Sequence, residues 1–166
     1  MNKVSLLASI ILILYSIQTS FAAVTNFEKG VAKISMSLGN ADLVNVSIET
    51  IETPADYIYS KAYMWGGDES FPPKNFIKKI TIIIGGSLSF IPLSAYADLG
   101  SPRKIALEKL ALHGFRLIIS GGDAAASYNA NLDFKNNEIY RRKVVSAEFP
   151  KEVWEETFFS FNHLHN

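Results

Sequence analysis

Three aspartates in predicted loops are the residues of this sequence best placed to do chemistry. Asp68 and Asp123 each follow a pair of glycines, and Asp98 lies in an irregular stretch after Pro92. Two carboxyl groups held across a cleft can hydrolyse a glycosidic bond, and several carboxylates together can bind Ca²⁺. An aspartate after a glycine pair also commonly bonds its own backbone in a turn. The turn is the favoured interpretation of Asp68 and Asp123, and a small carboxylate-dependent hydrolase or carbohydrate-active enzyme is the alternative function.

Other kinds of catalytic site have little support in the sequence. The chain contains no cysteine and three histidines, and no histidine stands in a known pattern with a nucleophile. His163 and His165 have a spacing that can bind a transition metal, but such pairs near a terminus are commonly adventitious. The residue types therefore favour a protein with no enzymatic activity and no cofactor, with Ca²⁺ left open as a ligand.

Aromatic side chains indicate a second kind of candidate, a recognition surface. Four rings share one parity and would lie on one face of an extended chain: they belong to Tyr57, Tyr59, Tyr63 and Trp65. Aromatic residues are enriched at the centres of protein interfaces. Packing in the core is nevertheless the commoner fate of large rings, and it is the favoured interpretation here.

The first 22 residues are predicted to be a cleavable signal peptide. Lys3 precedes an apolar run from Val4 to Ile17, and the small residues Ser20 and Ala22 stand where a signal peptidase reads. That run is shorter than the roughly 20 residues that a spanning helix needs. We therefore expect an exported protein, in the periplasm or outside the cell. Without a cysteine to carry a lipid, no membrane anchor is expected after cleavage.

The charge of the remaining chain gives no reason to expect a nucleic-acid partner. After removal of Lys3 with the leader, 15 basic residues (16 minus 1) face 16 acidic residues, for a net charge of −1. The densest basic stretch is Arg141-Arg142-Lys143, which we interpret as a solvated strand end. The candidate binding residues are accordingly Asp68, Asp98, Asp123, Arg141, Tyr59, Tyr63 and Trp65.

Alternating apolar and polar residues predict a mainly β protein, with residues 23–166 forming a single antiparallel β-sandwich or barrel-like domain. The clearest hairpin joins Ser127–Phe134 to Ile139–Val145 through a turn of lysine and two asparagines. Ile80–Ile84 is apolar at nearly every position, which predicts a central strand buried on both faces.

Residues 101–114 fit two structures. Ser101, Pro102 and Gly114 are typical of a helix start and stop, so a short helix near 102–112 is one interpretation. Ile105 and Leu107 alternate with Ala106 and Glu108, which favours a strand. In a strand-rich chain we favour the strand.

These observations together predict an exported, non-enzymatic binding protein. Its partner is expected to be a protein or a component of the cell envelope, bound through a sheet face or its loops.

Overall fold

The computed structural model describes residues 23–39, 42–56, 64–67, 72–111 and 113–161 of the chain. The predicted signal peptide lies outside these ranges, as do the aromatic stretch at 57–63 and, with it, the candidate residues Tyr59 and Tyr63; the candidate Asp68 also lies outside them.

Ten β-strands run through the described residues, and every pairing between them is antiparallel. In chain order the strands are β1 (Ala23–Asn26), β2 (Val31–Gly39), β3 (Asp42–Glu52), β4 (Asn75–Ile84), β5 (Ser87–Ser89), β6 (Pro102–Lys109), β7 (Phe115–Gly121), β8 (Tyr128–Lys135), β9 (Glu138–Ser146) and β10 (Val153–Phe158). One sheet has the order β1-β6-β7-β8-β9-β10, and the other has the order β2-β3-β4-β5. The two sheets pack together around a shared hydrophobic core. Of the two predicted architectures, the fold is therefore the β-sandwich.

The two-residue alternation of each strand decides which side chains enter the core. Four residues of β8 that share one parity are completely buried: Tyr128, Ala130, Leu132 and Phe134. Strand β2 follows the same rule, since it buries Ile34 and Met36 and exposes Ser35 between them. The mainly β prediction is confirmed, and the hairpin of β8 and β9 lies where the sequence placed it.

Residues 102–109 form strand β6, as favoured, and not the alternative helix. Ile105 and Leu107 are completely buried, and β6 pairs with β1 on one side and β7 on the other. Both features require an extended chain. Packing thus overrides the helix propensity of this segment. The helical turns in the described residues are two short 3₁₀ segments, Leu93–Ala95 and Ala124–Ala126. Among those residues there is no helix of the length and hydropathy needed to cross a bilayer.

The prediction that Ile80–Ile84 is buried on both faces is wrong. Ile80, Ile82 and Ile84 face the core, but Ile83 on the opposite face is 37% exposed. Strand β4 does lie in the interior of its sheet, between β3 and β5. However, a two-layer sandwich has one core, so the outer face of each sheet contacts solvent even where its residues are apolar.

Two neighbouring isoleucines of β4 test this orientation. Ile82→Ala should lower the free energy of unfolding by about 2–5 kcal/mol, because it removes fully buried carbons and leaves a cavity. Ile83→Ala is the matched control and should cost about 1 kcal/mol or less, since much of that side chain already contacts water. Urea denaturation of the two variants measures both values. Equal decreases in the free energy of unfolding for the two variants would contradict the orientation of β4, with Ile82 inward and Ile83 outward.

Candidate functional site

The outer face of the six-stranded sheet forms an open concavity of about 580 Å³. We call this concavity the polar groove. Val24 of β1 and Pro150, in the segment after β9, line it together with outward side chains of β6 to β9. Its polar and charged lining residues are Lys104, Glu108, Arg116, Ser120, Asn129, Asn131, Arg141 and Lys143.

The antiparallel register arranges these side chains in rows that cross the strands. Lys104 of β6 lies opposite Ser120, which lies opposite Asn129. In the next row Asn131 lies opposite Lys143 of β9. Directly paired residues of neighbouring strands have side chains within contact distance. The groove is thus built from one polar position on each of several strands that are distant in sequence.

A ladder of alternating charge forms the third row. The guanidinium of Arg116 binds Asp133 through two bonds, of 2.6 Å to Oδ1 and 3.0 Å to Oδ2. Arg141 approaches the same carboxylate at 3.7 Å and binds Glu156 at 2.7 Å. The hydrogen bond to Asp133 raises the pKa of Arg116, although partial burial opposes the shift. Both arginines are therefore held by carboxylates, and Asp133 is almost completely covered, at 2% exposure of its side chain.

The two lysines of the groove differ from the arginines. Neither Lys104 nor Lys143 forms an ion pair with any residue that the structure describes. Between them, the hydroxyl of Ser120 donates to Oδ1 of Asn129 at 2.6 Å, which leaves the amide nitrogen of Asn129 free to donate elsewhere. The groove therefore presents, beside hydrogen-bonding amides, two ammonium groups that form no ion pair within the described part of the chain, and this arrangement suits an anionic ligand.

On the opposite face of the same sheet, Arg142 is buried between the layers. Its side chain is 2% exposed and binds Asp98 at 2.7 Å, Glu155 at 3.3 Å and the carbonyl oxygen of Ser94 at 2.7 Å. We call these four residues the arginine clasp. The interpretation of Arg141-Arg142-Lys143 as a solvated strand end is wrong for Arg142, which is buried.

A β-bulge at Tyr140 explains why Arg142 points inward. Phe134 of β8 pairs with Ile139, but the next residue, Asp133, pairs with Arg141, so Tyr140 has no partner position. The extra residue shifts the inward and outward positions of β9 by one, so that Arg142 faces the core and Arg141 faces outward. Without it, Ile139 and Arg141 would share the core face, and the groove would lose Arg141.

Trp65 joins the arginine clasp from a separate segment of the chain. Its indole nitrogen donates to Glu155 at 3.3 Å, and its ring stacks on Trp154 with centroids 5.5 Å apart. Its backbone nitrogen also donates to the carbonyl oxygen of Asp98 at 2.8 Å. Two predicted candidates, Trp65 and Asp98, thus lie together, but on the core side of the sheet and away from the groove that contains Arg141.

The two glycine pairs of the sequence meet in the structure. A Cβ atom added to Gly122 would lie 2.9 Å from the Cα atom of Gly66, so the two loops are in direct contact. Asp123 accepts a hydrogen bond from the backbone nitrogen of Ala124 at 2.8 Å, at the start of a 3₁₀ turn. In the described part of the chain, no three histidine or carboxylate side chains are grouped as metal ligands.

No family model, curated protein or solved structure matches this chain. The polar groove is therefore interpreted from its own geometry. Sequence reasoning found Arg141 but missed Lys104, Arg116 and Lys143. Arg116 stands between two apolar residues of a strand, which signals an outward position, whereas Lys104 and Lys143 each follow an arginine and carry no such signal. Only the strand order brings the three together.

Replacement of Arg142 tests the arginine clasp. Arg142→Met should lower the free energy of unfolding by about 2–3 kcal/mol, because it leaves the partly buried carboxylates of Asp98 and Glu155 without their counter-charge. Arg141→Met is the control and should cost about 1 kcal/mol or less, since Arg116 still holds Asp133 and the pair with Glu156 is partly exposed. Guanidinium chloride denaturation distinguishes the two. If Arg142→Met lowered the free energy of unfolding no more than Arg141→Met does, the arginine clasp would have no structural role.

Tyr128 gives a prediction about pH. Its buried hydroxyl donates to the carbonyl oxygen of Gly100 at 3.0 Å, and burial raises the pKa of the phenol well above its ordinary value. The folded protein therefore keeps this proton where the unfolded chain, with a pKa of about 10, releases it. The contribution of the phenol to stability is complete below about pH 10 and declines as the pH rises further.

Tyr128→Phe removes both the hydrogen bond and the titrating group. At neutral pH the wild type should be more stable by about 1 kcal/mol. Between about pH 8 and about pH 11 this advantage should fall by about 1.4 kcal/mol, because only the unfolded wild type gains from ionising its phenol. Urea denaturation at the two pH values measures the change. A difference independent of pH would show that the phenol ionises equally in both states.

Proposed function

We propose that the protein is an exported, non-enzymatic binding protein whose polar groove takes an anionic ligand. The observation that carries the proposal is that Lys104 and Lys143 line one concave face and form no ion pair with the residues that the structure describes. Export, to the periplasm or beyond the cell, rests on the sequence pattern of the first 22 residues. The ligand accordingly belongs to a protein or an envelope component that bears carboxylates or similar groups.

The charges around the groove support an anionic ligand. Four cationic residues (Lys104, Arg116, Arg141, Lys143) line it, and three acidic residues compensate them: Glu108 in the lining and Asp133 and Glu156 in ion pairs. The excess is thus +1, and it resides on the lysines because the arginines are already bound. An anion bound there gains charge-assisted hydrogen bonds.

The rigidity of the groove supports the same function. Its side chains stand on four consecutively paired strands, β6 to β9, and Arg116 is fixed by two bonds to Asp133. Groups that are already ordered lose little conformational entropy when a ligand binds.

The hydrolase alternative has no comparable support. The carboxylate of Asp98 binds Arg142, and that of Asp123 binds its neighbouring backbone, while Asp68 lies outside the described residues. Catalysis by these aspartates, and a Ca²⁺ site made from them, stay predictions from the sequence.

Charge reversal in the groove tests the proposed function. The double variant Lys104→Glu/Lys143→Glu should bind labelled oligoglutamate or labelled oligogalacturonate at least about tenfold more weakly than the wild type, because two ion pairs are replaced by repulsions. Fluorescence anisotropy at low ionic strength measures the affinity.

The control carries the same change of charge on the other sheet. Lys78 and Lys79 of β4 are both exposed, and Lys78→Glu/Lys79→Glu should weaken binding by no more than about twofold through long-range effects. Equal weakening by both double variants, or no binding of either probe to the wild type, would overturn the proposal.

A further inference from the structure

We infer that the polar groove binds an extended acidic peptide segment of a partner protein, with two acidic side chains four residues apart. This inference rests on the proposed function and adds the class of ligand. It is based on the spacing of Lys104 and Lys143 and on the hydrogen-bonding groups that lie between them.

The spacing follows from the strand order. Lys104 stands on β6 and Lys143 on β9, three strand spacings apart. At about 4.8 Å per spacing the two strands lie about 14 Å apart, and Lys143 is also offset from Lys104 by one row, about 7 Å along the strands, so the two Cα atoms are about 16 Å apart. An extended peptide advances about 3.3–3.4 Å per residue, so four residues cover about 13–14 Å, and the long side chains of the lysines reach across the remaining distance. An even separation also keeps both acidic side chains on the same side of the peptide.

The residues between the lysines suit a peptide backbone. The oxygen of Asn129 accepts from Ser120, and its amide nitrogen donates to no residue that the structure describes. The side chain of Asn131, which also lines the groove, forms no hydrogen bond with the residues that the structure describes. A primary amide offers donors and an acceptor together, which is the pairing that each peptide unit requires.

The apolar part of the lining also favours a peptide over an acidic sugar. Val24, Ala106 and Ile118 lie beside the amides and offer a surface for an aliphatic side chain. None of the lining residues in the described chain is aromatic, and the exposed ring of Phe158 lies beyond them, opposite Arg141 on β10.

Peptides with equal charge and different spacing test the inference. Two fluorescein-labelled peptides of glycine, serine and two glutamates differ only in whether the glutamates are four residues apart or adjacent. Fluorescence anisotropy should show binding of the first peptide about fivefold tighter, because only it reaches both lysines at once. Lys104→Ala and Lys143→Ala should each abolish this preference, whereas Lys79→Ala on the other sheet should preserve it.

The outcomes separate this inference from the proposed function. Equal binding of the two peptides, or tighter binding of oligogalacturonate than of the spaced peptide, would overturn the inference. If the probes bound in this way and Lys104→Glu/Lys143→Glu still lost their binding, the proposed function would stand. Failure of all anionic probes to bind would overturn both.

Discussion

The guanidinium of Arg142 has to find its partners inside the protein, because its side chain is nearly inaccessible to water. A buried charge without compensation is among the most costly features that a fold can contain. The compensation comes from Ser94, Asp98 and Glu155, which lie in two segments on either side of β9 in sequence. Their placement fixes the loop before β6 and the edge strand β10 against the sheet. The packing of Trp65 against Trp154 depends on the same contacts, since Trp65 shares the carboxylate of Glu155.

One strand supplies both the interior charge and part of the outer groove. Strand β9 turns Arg142 toward the core, and it turns Arg141 and Lys143 toward the groove on the other face. The six-stranded sheet therefore separates two sets of charges that are neighbours in sequence. On the core side, Arg142 is compensated by Asp98 and Glu155, and these contacts hold the loop before β6 and strand β10 in place. Outside, the arginines are compensated by Asp133 and Glu156, and the lysines form no ion pair within the described residues.

The sequence predicted well whatever depends on alternation within one strand. The buried residues of β8 and the strand at 102–109 are examples, because local parity and the demand for burial agree there. It failed where the arrangement depends on neighbouring elements. Ile83 is apolar yet faces outward because the sandwich has one core, and Arg142 is inward because of a bulge that no local pattern shows. The groove could not be assembled from the sequence, since Lys104 and Lys143 become neighbours of one surface only through the order of four strands.

The bulge at Tyr140 has a consequence for how this protein tolerates change in its length. Deleting Tyr140 would place Arg141 on the core face and Arg142 on the outer face, so one change would disrupt both the arginine clasp and the charges of the groove. Point substitutions can alter the polar groove and the interior independently, whereas the gain or loss of one residue before Arg142 in this strand cannot. Natural variation in length should accordingly be confined to the turns, and β9 should vary only by replacement.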